Sequence, residues 1–205
     1  MTATQIAGID VSRETLTRLT LFADLLRKWT PAINLVATGT IPDMWTRHIV
    51  DSAQLFCVAP PDARHWLDLG SGGGLPGIVC AILAAELQPD CRFTLVESDA
   101  RKSAFLMTAK RELSLPITVL TERAETLAPQ KADLVTARAL APLPRLLPLV
   151  ARHLAKGGVA VLPKGKNHAT ELAAARREWQ FTTDTRDSLT DPAARVLVLK
   201  ELTRV

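Results

Sequence analysis

Residues 65–78, with the sequence HWLDLGSGGGLPGI, limit the possible folds more than any other stretch of the chain. Residues 66–69 form a short apolar run with a single acid, which is typical of a buried strand. Residues 70–74 carry almost no side chains. Pro76, a residue type favoured at the first helical position, then opens an apolar run typical of a buried helix. A strand, a glycine turn and a helix form the first half of a βαβ unit, in which ligands bind at the carboxyl end of the strand.

The glycine turn has three interpretations. Gly72, Gly74 and Gly77 fit the pattern G-x-G-x-x-G, which predicts a dinucleotide and hence an NAD(P)-dependent oxidoreductase. Pro76, however, falls between the last two glycines, and that turn would start late after the strand. Read from Asp68, the pattern is apolar-Asp-apolar-Gly-x-Gly-x-Gly, which resembles motif I of class I S-adenosylmethionine-dependent methyltransferases, whose strand-end acid faces the methionine amino group. A turn without any ligand is the third interpretation, and so many glycines would then cost chain entropy for no gain.

Composition predicts one ligand-binding domain with an extension. The chain has 205 residues, 47% of them hydrophobic, which is enough for a sizeable core. We expect an N-terminal helical extension or lid over residues 1–61 and the ligand-binding domain over residues 62–205. Residues 1–63 hold five Lys and Arg against six Asp and Glu, whereas the remainder holds twenty against fifteen. This basic excess suits a polyanion such as RNA, but a solvated basic surface would have the same composition.

The cysteines and the hydropathy predict a cytoplasmic protein. Cys57, Cys80 and Cys91 lie in or beside apolar segments without metal-ligand spacing, so we expect buried free thiols in a reducing cytosol and no metal site. The N-terminus has no basic-then-apolar signal pattern. No apolar run reaches the roughly 18 residues of a membrane span, so we expect no membrane as a partner.

Two helices are predicted in the extension. Residues 12–29 start with a serine suited to the N-cap and carry one apolar stripe at three- and four-residue steps, and Pro31 is expected to end this helix. A second helix is predicted over residues 42–58. On it, Arg47 and Asp51 are four residues apart and can form an ion pair.

An acid follows the second predicted strand, residues 93–96. Glu97 is placed to accept hydrogen bonds from both hydroxyls of a ribose, although it comes 27 residues after Gly70, later than the usual dinucleotide spacing of about 20. The alternative is a solvated loop residue. Ser98 or Asp99 is expected to cap the next helix.

Charged residues also follow the next three predicted strands, which are residues 116–120, 132–137 and 159–162. After the first of them, residues 122–125 read Glu-Arg-Ala-Glu; their charge alone favours a solvated run, but backbone at this place can meet an adenine. After the second, Arg138 is suited to a carboxylate or phosphate partner or to a structural salt bridge. After the third, Lys164 is suited to an RNA phosphate or to a solvated turn.

The end of the chain is predicted to contain one more helix and a hairpin. Pro148 should kink or interrupt any helix over residues 142–154. A helix is predicted over residues 168–178, and residues 181–185 and 194–199 are predicted to pair as an antiparallel hairpin.

Six stretches spread over residues 30–166 carry a family pattern: Asn34-Leu35, RHIVDS at 47–52, DLGSGGGLPGI at 68–78, RAE at 123–125, TARA at 136–139 and LPKG at 162–165. Together they resemble the bacterial small-subunit ribosomal RNA guanine-N7 methyltransferases, known as RsmG or GidB. The Gly-x-Gly-x-Gly pattern belongs to a whole superfamily, whereas the RHIVDS block and the LPGI after the glycines are more specific. The last 40 residues match the family only in outline.

The resemblance implies a Rossmann-like α/β fold with a mostly parallel seven-stranded sheet, flanked by helices, in which only the last strand is antiparallel. It implies S-adenosylmethionine as cofactor, with contacts from Gly70, Leu75, Glu97, Ala124, Glu125 and Arg138. Gly72 is added because a side chain there would block the approach of the cofactor. Arg47, His48 and Asp51 would shape a surface over the RNA or the cofactor, or else only pack the helix against the domain.

The resemblance also implies methyl transfer to N7 of a guanine in the decoding-region loop of 16S rRNA, by a monomer that binds this RNA or the small ribosomal subunit. Guanine N7 has a free lone pair, so no general base is needed, and Arg138 would position rather than take a proton. The Asn/Asp-Pro-Pro-aromatic motif of exocyclic-amine enzymes is absent after the fourth strand. A non-catalytic RNA-binding assembly factor on the same fold is the other alternative.

Overall fold

The computed structural model describes residues 4–205, and a seven-stranded sheet forms its centre. A separate hairpin of β1 (Thr4–Ile6) and β2 (Ile9–Val11) precedes the sheet. The sheet strands are β3 (His65–Leu69), β4 (Arg92–Val96), β5 (Ile117–Leu120), β6 (Ala132–Thr136), β7 (Leu154–Lys164), β8 (Trp179–Asp187) and β9 (Arg195–Arg204). Residues 1–3 of the predicted extension lie outside the described residues.

The spatial order of the strands is β5-β4-β3-β6-β7-β9-β8. The five strands from β3 to β7 run parallel, and β9 is antiparallel to both of its neighbours. The predicted sheet, with only its last strand antiparallel, is therefore confirmed, as is the pairing of β8 with β9. The chain first crosses to one side of β3 and then to the other, so the carboxyl end of β3 is the switch point where ligands bind in such sheets.

Within the described residues 4–205, six α-helices flank the sheet: α1 (Arg13–Ile33), α2 (Asp51–Cys57), α3 (Gly77–Leu87), α4 (Ala100–Glu112), α5 (Leu143–His153) and α6 (His168–Ala175). Buried residues of the first four share one apolar cluster with Trp66 and Phe93. Residues of α5 and α6 share a second cluster with Leu67 and Leu69. Because side chains alternate along β3, its two faces lie in different clusters, and helices cover both faces of the sheet.

Two prolines that were expected to end or disturb helices lie inside them. Pro31 is within α1, which continues to Ile33 and ends where Asn34 adopts the left-handed conformation (φ +52°) and donates its amide to Thr30 O at 2.8 Å. Pro148 is within α5, which is not interrupted. The expected end at Pro31 is therefore wrong: one missing amide costs one bond, and the buried face of α1 outweighs that loss.

The second helix of the extension begins as a π-helix, Trp45–Val50, and continues as α2. A single 3₁₀ turn, Thr38–Thr40, precedes it. The expected cap of the helix after β4 is confirmed, because the Asp99 carboxylate accepts the amide of Arg101 at 2.8 Å and starts α4. Among residues 4–205 there is no helix whose length and apolar character would let it span a bilayer.

Candidate cofactor and substrate site

The glycine turn after β3 needs residues without side chains for two different reasons. Gly70 (φ +65°), Gly72 (φ +54°) and Gly74 (φ +76°) all adopt left-handed backbone conformations that side chains disfavour. A Cβ on Gly70 would lie 2.6 Å from Leu140 Cδ1, and one on Gly74 would overlap Ile78. A Cβ on Gly72 would meet only the Gly70 carbonyl oxygen, at 3.8 Å. The backbone at Gly72 therefore borders open space, as a surface that receives a ligand must.

Glu97 is anchored against this turn. One carboxylate oxygen, Oε2, accepts the amide of Gly72 at 2.7 Å, and Oε1 accepts the amide of Asp99 at 2.8 Å. Only 8% of Glu97 is exposed, so the alternative of a solvated loop residue is wrong. A carboxylate has about four acceptor positions, and two remain for the hydroxyls of a ligand.

Asp68, the acid of the glycine motif, is buried beneath the turn. Its Oδ1 accepts a 2.8 Å hydrogen bond from Thr136 Oγ1, which ties β3 to β6. Its Oδ2 has no partner among the described residues and lies beside the start of α3, where a Cβ on Gly77 would be 2.8 Å away. Burial raises the pKa of Asp68 to about 6. Only 1% of Asp68 is exposed, and its expected position facing a methionine amino group stays a prediction.

The remaining predicted cofactor residues lie on either side of the turn. Leu75 is buried, and its amide donates to Ser71 O at 3.3 Å. In the loop after β5, Ala124 is buried while Glu125 is exposed and pairs with Arg123 at 3.2 Å. The side chains of Arg123 and Glu125 are therefore solvated, as their charge predicts, whereas Ala124 is buried.

Arg138 joins the carboxyl end of β6 to the N-terminal extension. Its Nη1 lies 3.0 Å from Asp51 Oδ2 and its Nη2 lies 3.1 Å from His48 Nδ1. The predicted Arg47–Asp51 pair is wrong, because the chain widens into a π-helix there, Arg47 is exposed, and Asp51 pairs across the fold with Arg138. The structural salt bridge, one of the two alternatives for Arg138, is present.

His48 is neutral in this network. Burial, and to a lesser extent the neighbouring Arg138 guanidinium, lower the pKa of His48 to about 4. A guanidinium only donates, so His48 Nδ1 accepts from Arg138 and Nε2 carries the proton. That Nε2 then donates to Thr40 Oγ1 at 2.7 Å. The site therefore combines one cation, one carboxylate and one uncharged imidazole.

A cleft of about 710 Å³ opens beside Arg138, at the carboxyl ends of β6 and β7. It is lined by side chains from the extension, from the loops after β6 and β7, and from the loop between β8 and β9. Leu140 lines the cleft and also covers Gly70, so it stands at the boundary between the glycine turn and the cleft. Such a volume is sufficient for a nucleobase with its sugar.

Lys164 borders this cleft but is not solvated. Its side chain is 8% exposed, and Nζ donates to Ala141 O at 2.8 Å and pairs with Glu171 Oε2 at 3.1 Å. The same Glu171 oxygen accepts the amide of Leu143 at 2.7 Å. The expectation of a solvated turn lysine is therefore wrong, and Lys164 fixes the start of α5 beside the cleft.

The loop between β8 and β9, residues 188–194, was not predicted to belong to the site. Thr190 Oγ1 donates to Asp51 Oδ1 at 2.7 Å, and the amide of Leu189 donates to Gln54 Oε1 at 2.8 Å. Asp51 thus holds Arg138 with one oxygen and Thr190 with the other. No local sequence pattern predicts this contact, because Thr190 follows Asp51 by 139 residues.

The order of the seven strands, the open glycine turn and the acid anchored to it define a class I S-adenosylmethionine-dependent methyltransferase. The residues present fit this cofactor: Gly72 leaves room for it, and Glu97 retains acceptors beside that room. The chain belongs to the family of rRNA small subunit methyltransferase G, or GidB, whose model matches residues 15–195. The predicted family is confirmed, and methyltransferase is the correct interpretation of the glycine turn.

Relatives of this family match nearly the whole chain. Ribosomal RNA small subunit methyltransferase G of Cereibacter sphaeroides is 53% identical over 200 residues, which are 98% of this chain and 97% of the relative. The protein of the same name from Paramagnetospirillum magneticum is 52% identical over 194 residues, which are 95% and 92% of the two chains. The solved O-methyltransferase TomG of Streptomyces achromogenes, in complex with SAM, has a TM-score of 0.56 at 15% identity and covers 89% of each chain. That structure supports the fold alone.

Proposed function

We propose that this protein transfers a methyl group from S-adenosylmethionine to N7 of a guanine in the decoding-region loop of 16S rRNA. The observation that carries the proposal is the adjacency of two spaces, an open glycine turn with its anchored Glu97 and the 710 Å³ cleft beside Arg138. The relatives named ribosomal RNA small subunit methyltransferase G support the choice of small-subunit RNA as substrate.

In this proposal the glycine turn and two loops hold the cofactor. Gly70, Gly72 and Leu75 form the surface that it covers, and the carboxylate of Glu97 accepts from its ribose hydroxyls. The backbone at Ala124 and Glu125 meets its adenine. Arg138 lies at the boundary with the cleft and orients the groups that react there.

For methyl transfer to guanine N7, the protein needs mainly to align the two reactants and to balance the charge around them. When bound, S-adenosylmethionine supplies an electrophilic methyl group on a positively charged sulfur, which the lone pair of guanine N7 can attack without loss of a proton. Arg138 is balanced by Asp51, and His48 is uncharged, so this cluster adds no net positive charge beside a cationic centre. Such balance favours the methyl donor over a site with an unpaired arginine.

We further propose that the N-terminal residues 1–61 act as a lid on the cleft, that the partner is 16S rRNA or the small subunit, and that the protein works as a monomer in the cytoplasm. The excess of Lys and Arg over residues 64–205 supports a polyanionic partner. The contact of Arg138 with Asp51 and His48 supports a lid that is coupled to the reacting groups.

A methyl-transfer assay with a tritiated methyl donor tests the function directly. The substrates are 30S subunits and naked 16S rRNA from a strain that lacks this gene, followed by nucleoside mapping. We expect label in 7-methylguanosine, and comparison of the two substrates identifies the assembly state that is recognised. Cofactor binding without label in either RNA would contradict the proposed substrate and favour a non-catalytic RNA-binding role.

A further inference from the structure

The last turn of α5 holds the loop that joins β5 to β6. The fully buried His153 donates from Nε2 to Ala124 O at 2.8 Å. Its neighbour Arg152 donates from Nε and Nη2 to Leu127 O, at 3.0 and 2.9 Å. Residues 121–131 contain no helix or strand, and most of their side chains are exposed. These three hydrogen bonds therefore fix the carbonyl groups of an otherwise irregular loop against α5.

The protonation of His153 follows from its partner. A carbonyl oxygen can only accept, so the proton resides on Nε2. Burial lowers the pKa of His153, which keeps the ring neutral. The other ring nitrogen, Nδ1, has no partner among the described residues. The bond to Ala124 O is consequently the one directional contact that we find for this imidazole.

The hydrogen bond from His153 to Ala124 O also orients the backbone amide of Glu125. Ala124 O and the amide of Glu125 belong to one planar trans peptide, so they point in opposite directions. Because the carbonyl points inward to His153, the amide of Glu125 points away from α5. The next two amides, of Thr126 and Leu127, donate to Arg123 O at 3.1 and 3.0 Å, whereas the Glu125 amide donates to no backbone carbonyl within the described chain. Its acceptor is the carboxylate of its own side chain, which is exposed. That side chain can rotate away, which leaves the amide oriented away from α5 and accessible to a ligand.

We propose that His153 and Arg152 are positioning residues for the cofactor, which orient the loop so that the Glu125 amide donates to a ring nitrogen of the adenine. This inference rests on the proposed function, in which Ala124 and Glu125 meet the adenine. Neither His153 nor Arg152 touches the cofactor itself. Their effect passes through the peptide plane between Ala124 and Glu125.

Calorimetric titration of the full chain with S-adenosylhomocysteine tests the proposal. His153→Leu removes the donor, and we expect affinity to fall by about tenfold. His153→Gln places an amide nitrogen near the position of Nε2, so affinity should stay within about twofold of the original. His65→Leu is the matched control, because His65 is also buried and hydrogen-bonded, at 3.0 Å to Thr94 Oγ1, but lies at the amino end of β3. It should leave affinity unchanged.

A second probe separates positioning from a general loss of structure. We would compare S-adenosylhomocysteine with its 1-deaza and 3-deaza adenine analogues, each of which lacks one ring nitrogen. The original protein should bind one analogue about tenfold more weakly than the parent compound, since a hydrogen bond is lost. In His153→Leu that difference should shrink to about twofold, whereas His153→Gln and His65→Leu should keep it.

The outcomes of these experiments separate the role of His153 from the proposed function. Equal affinities and equal analogue discrimination in His153→Leu, His153→Gln and His65→Leu would overturn the role of His153 while the proposed function stands. Absence of binding by the original protein would overturn both. If His153→Leu does not fold, the surface variant Arg152→Met carries the test: we expect about threefold weaker binding, and unchanged binding would overturn the inference.

Discussion

Gly72 is the residue at which backbone conformation and ligand access can be separated by experiment. Gly72→Val puts a branched side chain at φ +54° and fills the open space beside the turn. We expect cofactor binding to be lost, which calorimetric titration with S-adenosylmethionine would measure. Binding with unchanged affinity would show that the cofactor does not approach this turn.

The matched control for that substitution is Gly157. It also has a left-handed conformation, φ +79°, and a Cβ added there would meet no atom within 4 Å, but it lies in β7, far along the chain from the turn. Gly157→Val should therefore carry a similar backbone cost, about 1–2 kcal/mol, without loss of cofactor binding. A parallel loss in both variants would assign the effect to strain alone.

His48 makes the stability of the protein depend on pH. Its pKa is about 4 in the folded state and 6.5 in the unfolded state, so between these values the unfolded chain binds more protons. The contribution of neutral His48 is complete above pH 6.5 and is lost as the pH falls toward 4. Relative to His48→Gln, which does not titrate, the free energy of unfolding should fall by about 1–2 kcal/mol from pH 7.5 to pH 5. Urea unfolding at both pH values measures this, and a constant difference would mean that His48 is not held neutral.

At the scale of elements, the Arg138 contact couples the end of β6 to the N-terminal extension. Arg138→Ala removes its hydrogen bonds to Asp51, His48 and the Arg47 carbonyl oxygen. Asp51 keeps Thr190 and Gln54 as partners. We expect a folded protein whose methylation rate falls by about tenfold or more, since the reacting groups lose their alignment. Initial rates and circular dichroism measure the two properties. Turnover at the original rate would remove Arg138 from the site.

The hydrogen bond from Thr190 to Asp51, which attaches the loop between β8 and β9 to the N-terminal extension, should contribute to stability. Thr190→Val keeps the shape of the side chain but removes the donor to Asp51 Oδ1, and we expect a loss of about 1 kcal/mol in unfolding free energy. Thermal or urea unfolding measures it. Thr185→Val, on an exposed position of β8, is the control and should change stability little. Equal effects of the two substitutions would mean that the bond to Asp51 contributes nothing.

Local chemical signals explain which elements could be predicted. The glycine turn, the cap at Asp99 and the apolar runs of the central strands all act through neighbours in sequence, and each was found where expected. Pro31 was misjudged as a helix end, and Pro148 does not interrupt α5, because burial of a helix face is a tertiary effect that a local rule does not contain. The hairpin of β1 and β2 is only three residues a side, too short for a periodic signal.

Residues of the candidate site could be predicted from the sequence only where they directly follow a strand. Glu97 and Arg138 follow their strands directly, and the parallel sheet brings such ends together. Two partners of Asp51, Arg138 and Thr190, come from positions 87 and 139 residues away, and nothing in a single sequence pairs them with it. The predicted Arg47–Asp51 pair failed for the same reason, since a partner distant in sequence took the carboxylate.

At the scale of the whole molecule, the net charge of +4 predicts how salt affects RNA binding. Lysine and arginine contacts to phosphates release counterions, so affinity for 16S rRNA should fall by about tenfold or more between 50 and 200 mM salt. Filter binding at a series of salt concentrations measures the slope. Cofactor affinity in the same buffers should change much less. A flat RNA series would mean that the basic excess does not contact the RNA backbone.

The position of β9 between β7 and β8 has a consequence for how the protein is made. Translation produces β9 after both of its neighbours, so β8 waits without a partner in the sheet until β9 leaves the ribosome. The five parallel strands can pair before that moment, but the wall of the cleft that Thr190 attaches to Asp51 cannot be completed. Stalling translation just before and just after β9 would reveal this step. A nascent copy should therefore be unable to methylate ribosomal RNA until β9 has left the ribosome.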